Sequence, residues 1–465
     1  MTVPPALPTF TPGSRRAPGA LPLLGHAWQL QRRPLAFLRS LPRHGDLVEI
    51  GLGPRRAYAV CHPDLVRQVL TDARTFDKGG PIYDKLRQLL GNGLGTSARE
   101  PHRRQRRMIQ PVFHAERIRE YVPAIRDEVV AATAGWSDGQ VIDVAEHTYK
   151  IITRVLTRTM FAAEARAEAA TVIAEALPVF HEGVGRRMNS PFAFLEKVPT
   201  SGNRRYEAAK ARLHSLVDRL IADHRRDGAD HDNLLSVLMA AGDGRADGGA
   251  SAMTDEEIHE HVITFLVAGI PTSAAVLAWS LHFLGQDPGL EARLHSEVDL
   301  VLDDGPPTWA HLGRLDLTTR TLTEVMRYYP PGWLLTRVAM HDTVLAGRRI
   351  PEGTVILFSP YLLHHRPDLH PAPGLFDPDR WLPERRHAMA RDTFIPYGIG
   401  SRKCIGEVYG IVELTLALSV IARRWRLTPV PGTGAHLTDP KPSAVIHPAP
   451  LTMRLGERGA TRPRA

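Results

Sequence analysis

The chain has 465 residues, 43% hydrophobic and 23% charged, enough for one large core or for two or three ordinary domains of a soluble globular protein. Its two cysteines, Cys61 and Cys404, exclude a disulfide framework and leave a thiol available for other chemistry. A formal charge of +8 comes without an aromatic platform or a nucleic-acid motif, so no nucleic acid is expected, and no run reaches the roughly 18 uninterrupted apolar residues of a membrane span.

Residues 1–18 are Pro-rich and lack the apolar centre of a signal peptide, so the default location is cytoplasmic. Short strand-like runs follow at 47–50 and 57–60, then a helical pattern at 63–70. Residues 115–225 read mostly as helix, with heptad-like apolar spacing at 141–161. A Gly/Asp/Ala stretch at 227–252 reads as loop, interrupted by a short helix at 232–241. Thr254 and Glu257 then form a capping box ahead of a long apolar helix that ends near Asp287-Pro288. Gly269 and Pro271 sit at its centre. Pro271 has no N–H, which frees the carbonyl of Val267, so the helix should bend or open there. Residues 315–328 form another helix stopped by Pro330-Pro331, and strand-rich sequence covers 333–358. A Pro-rich meander runs over 364–383, and a Gly-rich loop at 396–406 leads into a final apolar helix at 407–423.

That loop, Tyr397-Gly398-Ile399-Gly400-Ser401-Arg402-Lys403-Cys404-Ile405-Gly406, offers what a thiolate metal ligand needs. Glycines permit tight backbone, Arg402 and Lys403 supply positive surroundings, and a helix N-terminus begins just after the sulfur. A lone cysteine in a glycine turn is more often a small buried hydrophobe, the reading given to Cys61. The spacing Gly-x-Arg-x-Cys-x-Gly is similar to the cysteine signature of the cytochrome P-450 family, with Tyr397 where that family usually has Phe.

Further patterns carry the resemblance from about residue 18 to 454. Glu324-Val325-Met326-Arg327 and Phe376-Asp377-Pro378-Asp379-Arg380-Trp381 resemble the family's buried charged triad, with Glu324, Arg327 and Arg380 in structural roles. Such a triad is stable only as a satisfied network. Ala268-Gly269-Ile270-Pro271-Thr272-Ser273 looks like the oxygen-binding groove. The resemblance puts Thr272 at bound dioxygen and Ala268 and Gly269 against the haem, with Thr272 also bonding back to a carbonyl one turn earlier. Where most relatives carry an acid before this threonine, the chain has Pro271, so water chains or substrate hydroxyls would have to deliver protons. His102 and Arg106, four apart on one helix face, with Arg337 and Arg402, match the family's propionate contacts. The rest of the Arg103–Arg107 cluster suits a basic proximal face for an acidic redox partner.

The resemblance implies a mainly α (α+β) fold: one cytochrome P-450 domain over 18–454, with a helical lobe, a smaller β-rich lobe, and haem b between the long helix and the Cys404 loop. Flexible segments are expected at 1–17 and 455–465. The implied activity inserts one atom of O2 into an apolar small molecule in a bacterial cytoplasm. With no reductase segment appended, NAD(P)H electrons would arrive through a separate reductase and ferredoxin, and the protein would act as a monomer. Ile82, Tyr83, Val267, Trp333, Leu334 and Leu335 are candidate pocket lining, and the flavour of residues 90–113 and 380–385 suggests a terpene substrate. Two rivals stand beside this: a peroxide-driven or rearranging haem-thiolate enzyme, motivated by Pro271, and a non-enzymatic basic binding protein. Metal ligation by His364, His365 and His370 is disfavoured, since neither Cys nor acid completes a coordination set.

Overall fold

A computed structural model describes residues 15–459, apart from 162–165, 189–195, 197, 228–232, 243–252, 304, 387–391, 433–439 and 441. The strands are β1 (Leu47–Leu52), β2 (Arg55–Val60), β3 (Phe76–Asp77), β4 (Val141–Asp143), β5 (Leu335–Ala339), β6 (Thr343–Leu345), β7 (Arg348–Ile350), β8 (Val355–Phe358), β9 (Trp425–Pro429) and β10 (Thr452–Glu457). The first helices are α1 (Ala27–Arg32), α2 (Pro34–Ser40), α3 (Pro63–Thr71), α4 (Gly80–Leu90), α5 (Arg99–Ile109) and α6 (Ala115–Thr133). Then come α7 (Val144–Met160), α8 (Arg166–Met188), α9 (Ser201–Asp227), α10 (Leu234–Gly242), α11 (Asp255–Gln286) and α12 (Pro288–Leu302). The last are α13 (Trp309–Leu312), α14 (Asp316–Tyr328), α15 (Pro360–His364), α16 (Pro383–Arg386) and α17 (Glu407–Arg424).

The chain divides into two compact units. The first comprises residues 1–84, 327–376 and 383–404. Its sheet runs β1-β2-β8-β5-β3, with β2 and β8 parallel and the other pairs antiparallel. Val48, Ile50, Ala57, Ala59, Ile356 and Phe358 join Leu38, Leu65 and Val69 from α2 and α3 in one core. Cys61 is fully buried in it, and burial pushes its thiol up to about 12, as expected of an inert structural cysteine.

The second unit comprises 85–326, 377–382 and 405–465, a helical assembly with a small sheet ordered β4-β10-β9. The heptad-like run at 141–161 is not all helix. Residues 141–143 pair with β10 from the far end of the chain, and Asp143 then caps α7 by accepting from the Ala145 N–H at 3.0 Å. At α11 the Thr254–Glu257 capping box is present with both reciprocal bonds. By composition α11 could cross a bilayer, with mean hydropathy 1.9 over its best 18 residues, but 61% of that window is buried by its own fold. It is a core helix.

Pro271 does not interrupt α11, which runs unbroken through it. The freed Val267 carbonyl is met instead by the His181 ring, whose Nε2 lies 3.0 Å away from α8. The same ring faces the Leu177 carbonyl through Nδ1 at 3.1 Å, so the tautomer with its proton on Nε2 is the one that replaces the missing backbone donor. The Arg15 carbonyl accepts from the Glu49 N–H and the Ala17 N–H bonds the Glu49 carbonyl, while β10 carries order through Glu457 and Arg458 pairs with Asp299 at 2.7 Å. Residues 1–14 and 460–465 lie outside the described residues, as does most of the loop-like stretch at 227–252.

Replacing His181 with Phe removes the donor to Val267 while keeping an apolar ring, and should lower stability by about 1 kcal/mol in urea denaturation. His282 gives a second test. It is buried beside Trp279 with Nδ1 lacking a partner among the described residues, and burial pulls its ring down to about 4. The unfolded ring titrates near 6.5, so the unfolded chain binds the extra proton first and stability falls as pH drops from about 6.5 to about 4. His282→Phe should flatten that part of the stability–pH curve.

Candidate functional site

In the first unit the Cys404 loop is shaped by its glycines. Gly398 and Gly400 have φ of 69° and 72°, left-handed values that favour glycine. A Cβ on Gly400 would also meet the Leu70 carbonyl oxygen at 2.4 Å, so the loop lies directly on the backbone at the end of α3. The Cys404 N–H bonds the Tyr397 carbonyl at 2.9 Å, and the Lys403 N–H bonds that of Gly400 at 3.1 Å. Cys404 is thereby held in place, yet exposed within this unit. That is the opposite of Cys61.

Cations gather beside it. Arg402 pairs with Asp77 at 2.5 Å, with both side chains buried. Arg337 is buried, donates to the Thr336 carbonyl at 2.8 Å, and lies over the Phe358 ring. Lys78, absent from the residues picked out above, joins them with its ammonium 5.7 Å over the Tyr83 ring. Burial, then the charges of Arg337 and Arg402, hold the Lys78 ammonium well below its usual range, against the pull of Asp77 and Cys404. Burial likewise draws Arg402 down, opposed by Asp77. Three cations against one such carboxylate, beside a held and exposed thiol, form a donor set that suits an anionic metallo-macrocycle such as haem.

Ile82, Trp333, Leu334 and Leu335 are only partly buried and pack on the core of the first unit, making an apolar shelf. Tyr83 is buried with the cations rather than on that shelf. His364, His365 and His370 are each tied to backbone: His364 Nε2 accepts from the Ile395 N–H, and the other two rings face the Tyr361 and Thr393 carbonyls.

In the second unit, α11 exposes a short run of small residues. Ala268 is exposed and Val267, Gly269, Pro271 and Thr272 are partly so, between buried Phe265, Leu266, Ile270 and Ala274. The Thr272 hydroxyl donates to the Ala268 carbonyl at 2.7 Å and approaches that of Gly269 at 3.3 Å, the back-bond expected. On α5, His102 is buried and Arg106 half-buried, while Arg103 and Arg107 point outward. The basic patch is partly neutralised: Arg104 bonds Glu257 at 2.6 Å and Arg103 reaches Glu100 at 3.4 Å.

Glu324, Arg327 and Arg380 are all buried. Glu324 takes the Arg380 guanidinium at 3.5 Å, the Trp381 indole N–H at 2.9 Å and the Asp377 amide at 3.0 Å. Arg327 donates to the carbonyls of His364, Pro373 and Leu375 at 2.9–3.1 Å. Trp381 and the three carbonyls are partners that the motif spacing does not reveal.

A family model described as Cytochrome P450 matches residues 16–455, and the chain belongs to that family. It is 47% identical to cyclooctatin synthase of Streptomyces melanosporofaciens, over 94% of each chain. It is 45% identical to pentalenene oxygenase of Streptomyces avermitilis, over 97% of this chain and 98% of that one. Its structure is similar to the crystal structure of the cytochrome P450DA haem domain, with a TM-score of 0.83 at 28% identity over 97% of this chain and 98% of that one. The mainly helical fold with smaller sheets is therefore as expected, the family implies haem iron, and the chain is an oxygen-using monooxygenase rather than a passive basic binder.

Replacing Glu324 with Ala removes a buried carboxylate partner of the Arg380 guanidinium, which is 3% exposed. The loss should be about 3–5 kcal/mol, read as a drop in soluble folded yield and melting temperature.

Proposed function

We propose that Cys404 is the thiolate ligand of the haem iron and that the enzyme hydroxylates a terpenoid hydrocarbon. The observation that carries the ligand assignment is the Cys404 sulfur, held exposed in its glycine loop beside Lys78, Arg337 and Arg402. The substrate class rests on the names of the relatives, among them a cyclooctat-9-en-7-ol 5-monooxygenase at 47% identity, together with the apolar shelf.

When bound, the haem supplies the oxygen chemistry, and a thiolate ligand favours O–O cleavage. The protein's own groups do the rest. The tight loop fixes the sulfur and nearby cations favour its deprotonated form. Lys78, Arg337 and Arg402 hold the propionates, with His102 and Arg106 contributing from α5. Small side chains at Ala268 and Gly269 leave room on α11, and Thr272 holds a proton at Oγ1. Ile82, Trp333, Leu334 and Leu335 orient an apolar substrate and exclude water from it, and the Val267 side chain does so from α11. Glu324, Arg327 and Arg380 keep the scaffold rigid. Electrons come from NAD(P)H through a separate reductase and a ferredoxin, which docks by the outward arginines of α5, in the cytoplasm.

Pro271 favours one second reading, a peroxide-driven or rearranging enzyme, since it places no acid beside Thr272. Purified enzyme should show a thiolate-type reduced carbon-monoxide spectrum that Cys404→Ser abolishes. Terpene hydrocarbons from a mixed library should shift the haem spectrum and be hydroxylated with ferredoxin and reductase. Spectral response to peptides or polyketides alone would overturn the substrate class. Turnover with peroxide and none with ferredoxin would establish the second reading.

A further inference from the structure

Large apolar side chains gather at one exposed place near the start of the first unit. The Leu21 and Gly25 backbones bond each other reciprocally at 2.8 and 2.9 Å, closing a short turn with Pro22-Leu23-Leu24 at its tip. Leu23 is 87% exposed, Leu24 46% and Leu21 43%, and Trp28 on α1 follows at 43%. Single exposed leucines are ordinary, but this succession makes a patch. The turn is held from several sides. The Leu24 carbonyl accepts from the Ala27 and Gly53 N–H groups at 3.1 and 3.2 Å, and the His26 N–H reaches the Gly51 carbonyl at 2.7 Å. A Cβ on Gly25 would meet that same Gly51 oxygen at 2.5 Å. Leu23 has φ of 61°, a left-handed value that leucine rarely adopts. One residue thus accepts backbone strain without gaining burial, where asparagine or glycine would avoid the strain.

The surroundings of this turn are cationic. The chain has no Asp or Glu before Asp46, and Arg15, Arg16, Arg32 and Arg33 are all exposed. The Arg32 guanidinium lies 4.4 Å over the Trp28 ring, and the bond from Gly53 brings the β1–β2 turn, with exposed Arg55, beside the tip. None of these arginines has an ion-pair partner among the described residues. Glu49 on β1 is already answered by Arg56 and Arg348 at 3.3 and 3.1 Å. An apolar tip and an indole ring set among unanswered arginines complement a surface that is anionic outside and apolar just beneath. A second copy of the chain would instead set arginine against arginine. We propose that the Leu21–Gly25 turn and Trp28 dip into the headgroup layer of an anionic lipid bilayer, with Arg15, Arg16, Arg32, Arg33 and Arg55 on its phosphates. The enzyme then lies on the membrane without crossing it. Neither the haem ligand nor the substrate class enters this contact.

Leu23→Asn combined with Leu24→Ser removes the apolar tip while giving residue 23 a side chain suited to its φ, so this double variant should melt no lower than the parent. The full-length holoenzyme should sediment with vesicles of equal parts phosphatidylcholine and phosphatidylglycerol at about 0.05 M salt. The double variant should bind them about tenfold more weakly. Arg32→Gln combined with Arg33→Gln should also weaken binding about tenfold. Vesicles of phosphatidylcholine alone should not retain the parent, and about 0.5 M salt should release it from the anionic ones. Brominated acyl chains should quench a component of the tryptophan emission that Trp28→Phe lacks. Equal binding by parent and L23N/L24S would reduce the contact to charge alone and overturn the proposal. So would the absence of vesicle binding at low salt: tip-dependent self-association would then make the patch a face between copies, and tip-dependent retention by an acidic protein would make it a protein-docking site.

Discussion

Positive charge collected around one sulfur is the constraint that organises the first unit. Lys78, Arg337 and Arg402 come from three separate segments, and Asp77 is tied to Arg402. Partly desolvated cations repel each other, and the repulsion grows as water is removed, so such a cluster persists only where anions answer it. A thiolate at Cys404 is one such anion and the acid groups of a porphyrin are others. On the proposed function, the same charges would both hold the cofactor and keep Cys404 ionised as its ligand. The sheet β1-β2-β8-β5-β3 serves this by delivering Arg337 on β5 and Asp77 on the adjoining β3.

The second unit meets a different demand, keeping backbone satisfied along a helix that exposes small residues at mid-length. Pro271 deprives Val267 of its ordinary donor, and His181 supplies another. Thr272 turns its hydroxyl back onto Ala268. Two neighbouring carbonyls thus bond side chains, which lets α11 stay regular while remaining thinly covered. Next to this stretch the buried Ser273 hydroxyl bonds the buried Glu413 carboxyl of α17.

Much of this was legible in the sequence wherever partners are close in the chain. The Thr254–Glu257 box, the glycines of the Cys404 loop and the Thr272 back-bond all follow from spacings of a few residues. The opening at Pro271 was legible in cause but not in outcome, because the group that fills it comes from α8. Lys78 and Trp381 carried no local signal either. Each acquires its role from residues dozens or hundreds of positions away, and a lysine after an aspartate looks like any solvated pair. Residues 141–143 failed for the same reason: periodicity favoured helix, and a strand more than 300 residues later decided otherwise.

The contact of Gly400 with the Leu70 carbonyl separates two kinds of evolutionary change. The position of the Cys404 loop is set by backbone lying on backbone, which admits almost no side-chain variation. Ile82, Trp333, Leu334 and Leu335 lie elsewhere on the same unit and can be exchanged without touching that contact. On the proposed function, a lineage built on this scaffold would diversify the molecules it oxidises while the electronic character of its iron stayed constant.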